Sequence, residues 1–274
     1  ERGTTHGDWL ENAEIIQALK DEKEAAGLYI APRTGAATRL LEREEAYMSR
    51  FTHRIPLVGA SERAYVTFLN KLRSDVFDMI VKNWEGTDRY TDENMASLAR
   101  FINHATGRGD LGKLRGLGPA LNGAFFSPRF VASRFQAPLD LLSSTPEVRK
   151  LVARDLVAFV GTGMTVLSLI KLAGADIEID PRSSDFGKGR WGPLRVDFWG
   201  GFQQMARYSA QLATGELKST MTGQTRDVER WDVFGRFIRS KLAPVPSTAF
   251  NVLTGENIIG EVTNVHDTAV NLLV

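Results

Sequence analysis

Apolar residues recur at three- and four-residue steps along most of this 274-residue chain, the period of helices that bury one face. The first such segment covers residues 7–26, with Trp9, Leu10, Ile15, Ile16 and Leu19 in a loose stripe. Gly27 suits its C-terminal end, because a helix often closes on a left-handed residue. APRTG, residues 31–35, reads as a linker. A charged helix is then expected from Ala36 to about His53, stopped by Pro56. A stronger stripe follows in Tyr65, Phe68, Leu69, Leu72, Val76, Phe77 and Ile80, which predicts a long helix with Ser61 as its N-cap. Thr91 opens another, with Asp92 and Glu93 at the positive end of the helix dipole. Its stripe is Met95, Leu98, Ile102 and Ala105.

The pattern then loosens. Gly107 to Gly118 holds five glycines in twelve residues and reads as a hinge or irregular loop. Ser127-Pro128 and Thr145-Pro146 restart helices in the favoured cap-then-proline order, and Pro138 is expected to interrupt the first of the two. Further helices are expected at 201–214, 225–242 and 247–253, with a last one from near Asn264. Trp231, Phe234, Ile238 and Leu242 form a clean repeat within them. Pro181 to Gln204 breaks the helical pattern. Here Phe186–Arg190 and Leu194–Phe198 can form the arms of a short hairpin around Trp191-Gly192-Pro193. Val196 and Phe198 would share one face, Arg195 and Asp197 the other. The expected fold is therefore mainly α, a multi-helix assembly with one small β-hairpin at about 176–200. Four stretches are expected: N-terminal helices and linker (1–55), a helical pair (56–106), a glycine-rich hinge with basic helices and an apolar helix (107–175), and the hairpin with C-terminal helices (176–274).

Composition adds limits. With 43% hydrophobic and 24% charged residues the chain can bury a core, which argues against disorder. The absence of cysteine excludes disulfides and thiolate metal sites. Because the sequence opens on Glu1 and not methionine, it is expected to be a fragment of a larger chain. Thirty-four basic and thirty-three acidic side chains nearly cancel overall. Locally they do not: residues 107–155 carry eight bases against four acids. Arg129, Arg134, Arg149, Lys150 and Arg154 are the candidates there for phosphate or lipid-headgroup contact, against the plainer reading of a solvated basic face.

Leu156 to Ile170 then runs fifteen positions without a charge. Extended to Ala175 it reaches the roughly 20 residues a bilayer crossing needs. Its apolar candidates for membrane or subunit contact are Leu156, Val157, Phe159, Val160, Met164, Val166, Leu167, Leu169 and Ile170. The buried central helix of a soluble bundle has the same profile, so both readings stand.

Catalytic signatures are weak. GRGDLG at 107–112 matches a dinucleotide-loop spacing, but a helix precedes it where a strand is required. Histidines 6, 53, 104 and 266 show no metal spacing, and no nucleophile elbow or phosphate loop occurs. Asp176, Glu178 and Asp180 alternate with isoleucines and could line one face of a strand to hold a hard cation, or could simply charge an edge strand. Trp191 and Trp199 are candidates for protein contact, since tryptophan is favoured at interface hot spots.

DPRSSDFGKGRW, VDFWGGFQQ, RSKLAPVPS, FFSPRFVASRFQ and ASERAYVTFLNKLRSDVF resemble blocks in the C-terminal parts of very large tailed-phage proteins, a group that includes the large polyvalent proteins of phages and mobile elements. The resemblance spans roughly Tyr47 to Gly260. It implies a non-enzymatic virion-internal or DNA-ejection protein without metal or cofactor. Such a protein would lie in the virion interior and then in the host cell envelope. Its implied partners are copies of itself, portal, tail or ejection proteins, a membrane, and DNA contacted without regard to sequence. A soluble tethering module and a metal-dependent enzyme domain are the alternatives.

Overall fold

The structure, a computed structural model, describes residues 20–31 and 56–254. The helices expected at 36–53 and beyond 264, and most of that at 7–26, lie outside these residues. In chain order the helices are α1 (Pro56–Lys82), α2 (Asp92–Ala105), α3 (Gly118–Ala124), α4 (Pro128–Ser143), α5 (Pro146–Leu172), α6 (Phe202–Thr214), α7 (Arg230–Arg239) and α8 (Pro244–Thr254). The strands are β1 (Asp176–Ile177), β2 (Gly189–Trp191), β3 (Leu194–Val196), β4 (Glu216–Lys218) and β5 (Thr225–Asp227). The fold is mainly α with two small antiparallel sheets, ordered β1-β2-β3 and β4-β5. The chain divides into two compact units. One takes the chain up to Gly116 with Arg129–Arg154, and the other takes Leu117–Pro128 with everything from Asp155 onward.

In the first unit Pro56 opens α1, and the helix it was expected to stop lies outside the described residues. At the first helical position its fixed φ is already helical and its missing N–H has no partner to lose. Ser61 therefore lies inside α1 and does not cap it. The buried line of α1 is Leu69, Arg73, Phe77 and Val81, four residues apart, continued by Trp84. Tyr65, Phe68 and Leu72 from the expected stripe are exposed. Arg73 is drawn in because its Nε donates to Thr106 Oγ1 at 2.8 Å, at the C-cap of α2, where the helix dipole favours a cation. α2 itself starts as expected, with Thr91 accepting from the Asn94 N–H at 3.2 Å and Met95, Leu98 and Ile102 buried.

A short strap lies on this pair. The helical segment 20–25 closes at Gly27 (φ +83°), with Leu28 N–H donating to the Lys23 carbonyl and Gly27 N–H to that of Glu24. Asn103 then accepts the Tyr29 N–H and donates to the Gly27 carbonyl, both at 2.9 Å. Asn70 accepts the Ala31 N–H and donates to the Ala31 carbonyl, both at 2.8 Å. Arg108 stacks 3.6 Å over the Tyr29 ring.

Two further expectations change here. Pro138 does not interrupt α4 but sits inside it, at the cost of the bond its missing N–H would have given the Arg134 carbonyl. Ala137 and Asp140 on either side are buried, so packing holds the helix through the defect. Ser127 precedes α4 at φ +49°, away from the extended conformation of an ordinary cap. The glycine-rich stretch is anchored on α4: a Cβ at Gly109 would come within 2.5 Å of the Arg129 carbonyl and the Ser133 nitrogen. Gln136 clamps both backbone groups of Asp110, and residues Gly112–Leu117 continue as a 3-10 helix.

In the second unit the expected hairpin forms, with Trp191 opposite Leu194 across Gly192-Pro193, and β1 adds a third strand through Asp176 opposite Arg190. A second hairpin, β4–β5, replaces the first turn of the helix expected from Thr225. Gly215 (φ +70°) ends α6 and Gly223 (φ +70°) makes the turn, so the chain reverses before a helix can begin. The helix, α7, starts at Arg230. α8 begins at Pro244, ahead of the expected Ser247, again with proline at a first helical position.

Candidate functional site

α5 carries the longest charge-free run of the chain. Its first turns are core: Val148 and Val152 are fully buried in the first unit. Beyond Asp155 the helix is gripped along one line only. The Trp199 ring covers Gly163, where a Cβ would lie 2.2 Å from a ring carbon. Only glycine lets the two approach so closely. Phe159 meets Trp199 edge-on at 5.5 Å and Phe202 at 5.3 Å. Ile170 lies over Gly189, and Trp191 Nε1 donates to the Ala173 carbonyl at 3.2 Å. Leu167 is buried on the same line, while Leu156, Val166 and Ile170 are partly covered.

The rest of the helix is open. Val157 is 73% exposed, Val160 51%, Met164 53% and Leu169 60%. The buried-core reading of this helix therefore does not hold for the described residues: 11% of its most apolar window is buried. Two hydroxyls on this stretch are satisfied by the helix's own backbone, Thr165 donating to the Gly161 carbonyl and Ser168 to that of Met164, each at 2.9 Å. Neither needs water.

The segment from Arg182 to Phe186, just ahead of the residues that brace α5, is tied down by polar side chains of α6. Gln203 donates to the Phe186 carbonyl at 2.8 Å, Arg207 to that of Ser184 at 3.2 Å, and Gln211 to that of Arg182 at 2.8 Å. These three sit four residues apart, so one face of α6 is a row of donors for the carbonyls of a turn-rich segment. Burial pushes the pKa of Arg207 down.

Both tryptophans expected to contact other proteins are thus used within the chain. Trp199 Nε1 donates to the Gly187 carbonyl at 2.7 Å, and both rings pack at the α5 face. Among the described residues the exposed tryptophan is Trp231, 79% exposed and edge-on to Phe234 at 6.0 Å. Both belong to the Trp231, Phe234, Ile238 and Leu242 repeat of the sequence. α7 instead buries Val233 and stacks Phe237 on Tyr208 at 4.2 Å. The signal was present as a second line, Val233 and Phe237, four residues apart on another face.

The chain matches no protein-family model, no curated protein and no solved structure.

The carboxylates considered for a cation are engaged by bases. Asp176 pairs with Arg190 at 3.2 Å, Glu178 with Lys218 at 2.7 Å, and Asp180 with Arg182 at 2.8 Å. β1 is too short to keep the three on one strand face. Arg182, bonded to Asp180, holds its carboxyl down at about 2. For Glu178, burial opposes ionisation, but the bonds from Lys218 and the Asp180 N–H leave it below the usual range. Among the described residues no group of three His, Asp or Glu is placed for a metal ion.

The five basic candidates separate. Arg129 is buried, with Nη1 3.3 Å from the Gly109 carbonyl, and braces the glycine-rich stretch. Arg134 is half-buried over the Phe130 ring at 4.1 Å, and burial lowers its pKa. Arg149, Lys150 and Arg154 are exposed on the first turns of α5. Arg149 Nη2 donates to the Ser144 carbonyl at 3.2 Å, and Lys150 pairs with Glu147 at 2.9 Å.

Proposed function

We propose that the chain is a non-enzymatic structural protein of a tailed-phage particle, an internal core or ejection protein that assembles with copies of itself and helps carry the genome across the host envelope. The observation that carries this reading is α5. Its 27 residues meet the length and composition of a membrane crossing, and most of that surface is open. Thr165 and Ser168, whose hydroxyls the helix's own backbone satisfies, lose little on leaving water. Arg149, Lys150 and Arg154 on its N-terminal flank suit an anionic headgroup layer. The sequence resemblance gives the particle context.

Vesicle flotation and dye release test the reading. The protein is expected to float with phospholipid vesicles and make them leak, and Val160→Asp with Met164→Asp is expected to abolish both while the far-ultraviolet spectrum is kept. A wild-type protein that neither floats nor causes leakage ends the membrane reading. The second reading, a soluble tethering module, draws on the exposed Trp231–Phe234 pair, because large exposed aromatics favour protein partners. In that case Trp231→Ala would weaken partner capture and the α5 double variant would leave it unchanged.

A further inference from the structure

The turn between α4 and α5, residues Ser143 to Pro146, gathers more than the flanking charges the sequence suggests. Two guanidiniums converge on it. Arg100, from α2, donates to the Ser143 carbonyl at 3.1 Å, and Arg149 reaches the Leu142 and Ser144 carbonyls at 3.4 and 3.2 Å. Arg100 is 45% exposed at its side chain and Arg149 is exposed, so both headgroups also face solvent.

The acids nearby are committed. Asp140 is buried against His104 Nδ1 at 2.7 Å, with Arg100 Nε 3.7 Å from its other oxygen. Glu147 is held below its usual pKa by its bond from Lys150 and by Arg89. Ser144, buried to 4% exposure, and Thr145 carry hydroxyls with no hydrogen-bond partner among the described residues, at the N-terminal end of a 27-residue helix where free N–H groups favour an anion. Leu142, 74% exposed, and Leu139, 55% exposed, stand on the last turns of α4 beside these cations. Cations, unpartnered donors and exposed leucines in one turn match the chemistry of a phosphodiester at the edge of an apolar layer.

We infer that the α4–α5 turn binds the phosphate of an anionic phospholipid, with Arg100 and Arg149 holding the phosphate and Leu142 entering the headgroup layer. This inference rests on the membrane reading of α5 and supplies that reading with a lipid class.

The test compares flotation with vesicles of phosphatidylcholine alone and of phosphatidylcholine mixed with phosphatidylglycerol. Arg100→Gln with Arg149→Gln is expected to weaken binding to the mixed vesicles by about fivefold per arginine, the effect of roughly 1 kcal/mol for each cation at an anionic surface, and to leave binding to phosphatidylcholine unchanged. The control is Arg226→Gln with Arg236→Gln, which removes the same charge from exposed positions of the second unit. Equal losses in the two double variants would mean bulk charge alone and overturn the site. Leu142→Ser is expected to weaken mixed-vesicle binding with all charges kept, and no change there would remove Leu142 from it. If the wild type binds neither vesicle, the membrane reading fails, and the site is judged separately by amide shifts on titration with glycerol phosphate. Saturable shifts at Ser144, Thr145 and Glu147 would then keep an anion site, and their absence would end it. Displacement from mixed vesicles by millimolar inorganic phosphate at constant ionic strength would overturn the lipid assignment in favour of a free anion.

Discussion

α1 and α5 are the same length, 27 residues, and both open on proline, yet they reverse what composition suggests. α1 is rich in charge, and its fully buried line runs through an arginine. α5 has fifteen consecutive uncharged positions and leaves most of them open. The difference teaches that burial follows from what a side chain can satisfy on arrival. Arg73 finds a hydroxyl at the negative end of α2, whereas the outer face of α5 meets no packing partner among the described residues. Apolar surface left uncovered on this scale by the described residues is the feature on which the proposed membrane contact rests.

The comparison breaks most visibly at Arg73. Arg73→Ala is expected to cost about 3 kcal/mol or more in urea unfolding, because it opens a cavity and removes the charged donor to the Thr106 hydroxyl at the end of α2. A loss near zero would show that the buried line of α1 does not depend on it. Gly163→Ala in α5 comes next. In an open helix this change stabilises by up to about 1 kcal/mol, but here the added methyl meets the Trp199 ring and is expected to destabilise by about 1–3 kcal/mol, with a shifted tryptophan emission spectrum. A stabilising result would place Trp199 away from the helix.

Acid provides a smaller effect. The Asp180 carboxyl is depressed to about 2 by Arg182, so its contribution to the second unit is complete above the ordinary carboxylate value near 4 and is lost as pH falls through about 2. Asp180→Asn is expected to flatten that part of the acid unfolding curve. Smallest of all, Val160→Asp is expected to change stability by no more than about 0.5 kcal/mol, since an exposed site has little packing to lose. A large loss there would mean that the outer face of α5 is covered within the folded chain.

Much of the fold is legible in the sequence where local rules agree with packing. Thr91 with its two following acids locates α2, and Trp191-Gly192-Pro193 locates the β2–β3 turn. Failures fall where polar side chains do the burying. Arg73 does not register in a hydrophobic stripe, so the expected face of α1 is rotated toward Tyr65 and Phe68. Gln203 and Gln211 look like the wet side of α6, and they are buried donors. Thr225 to Asp227 resembles a helix start until Gly223 is given its left-handed conformation. For the site, the charge-free run of α5 and the bases on its flank are legible in the sequence, but its openness is not, because a buried core helix has the same composition. Nor are the places of Trp191 and Trp199, because nothing in their local sequence says that Gly163, Gly189 and the Ala173 carbonyl will receive them.

The strap at Gly27–Ala31 has a consequence of its own. Asn70 and Asn103 read only main-chain N–H and carbonyl groups, which every residue but proline supplies, so they measure position and are indifferent to identity. Two such readers on separate helices accept a single register. A slip of one residue would withdraw Leu28 and Ala31, now 3% and 5% exposed, from the places they fill. Side-chain choice at 28 and 31 and amide counting at 27, 29 and 31 thus check each other, as a key is checked by both the depth of its cuts and the distance between them.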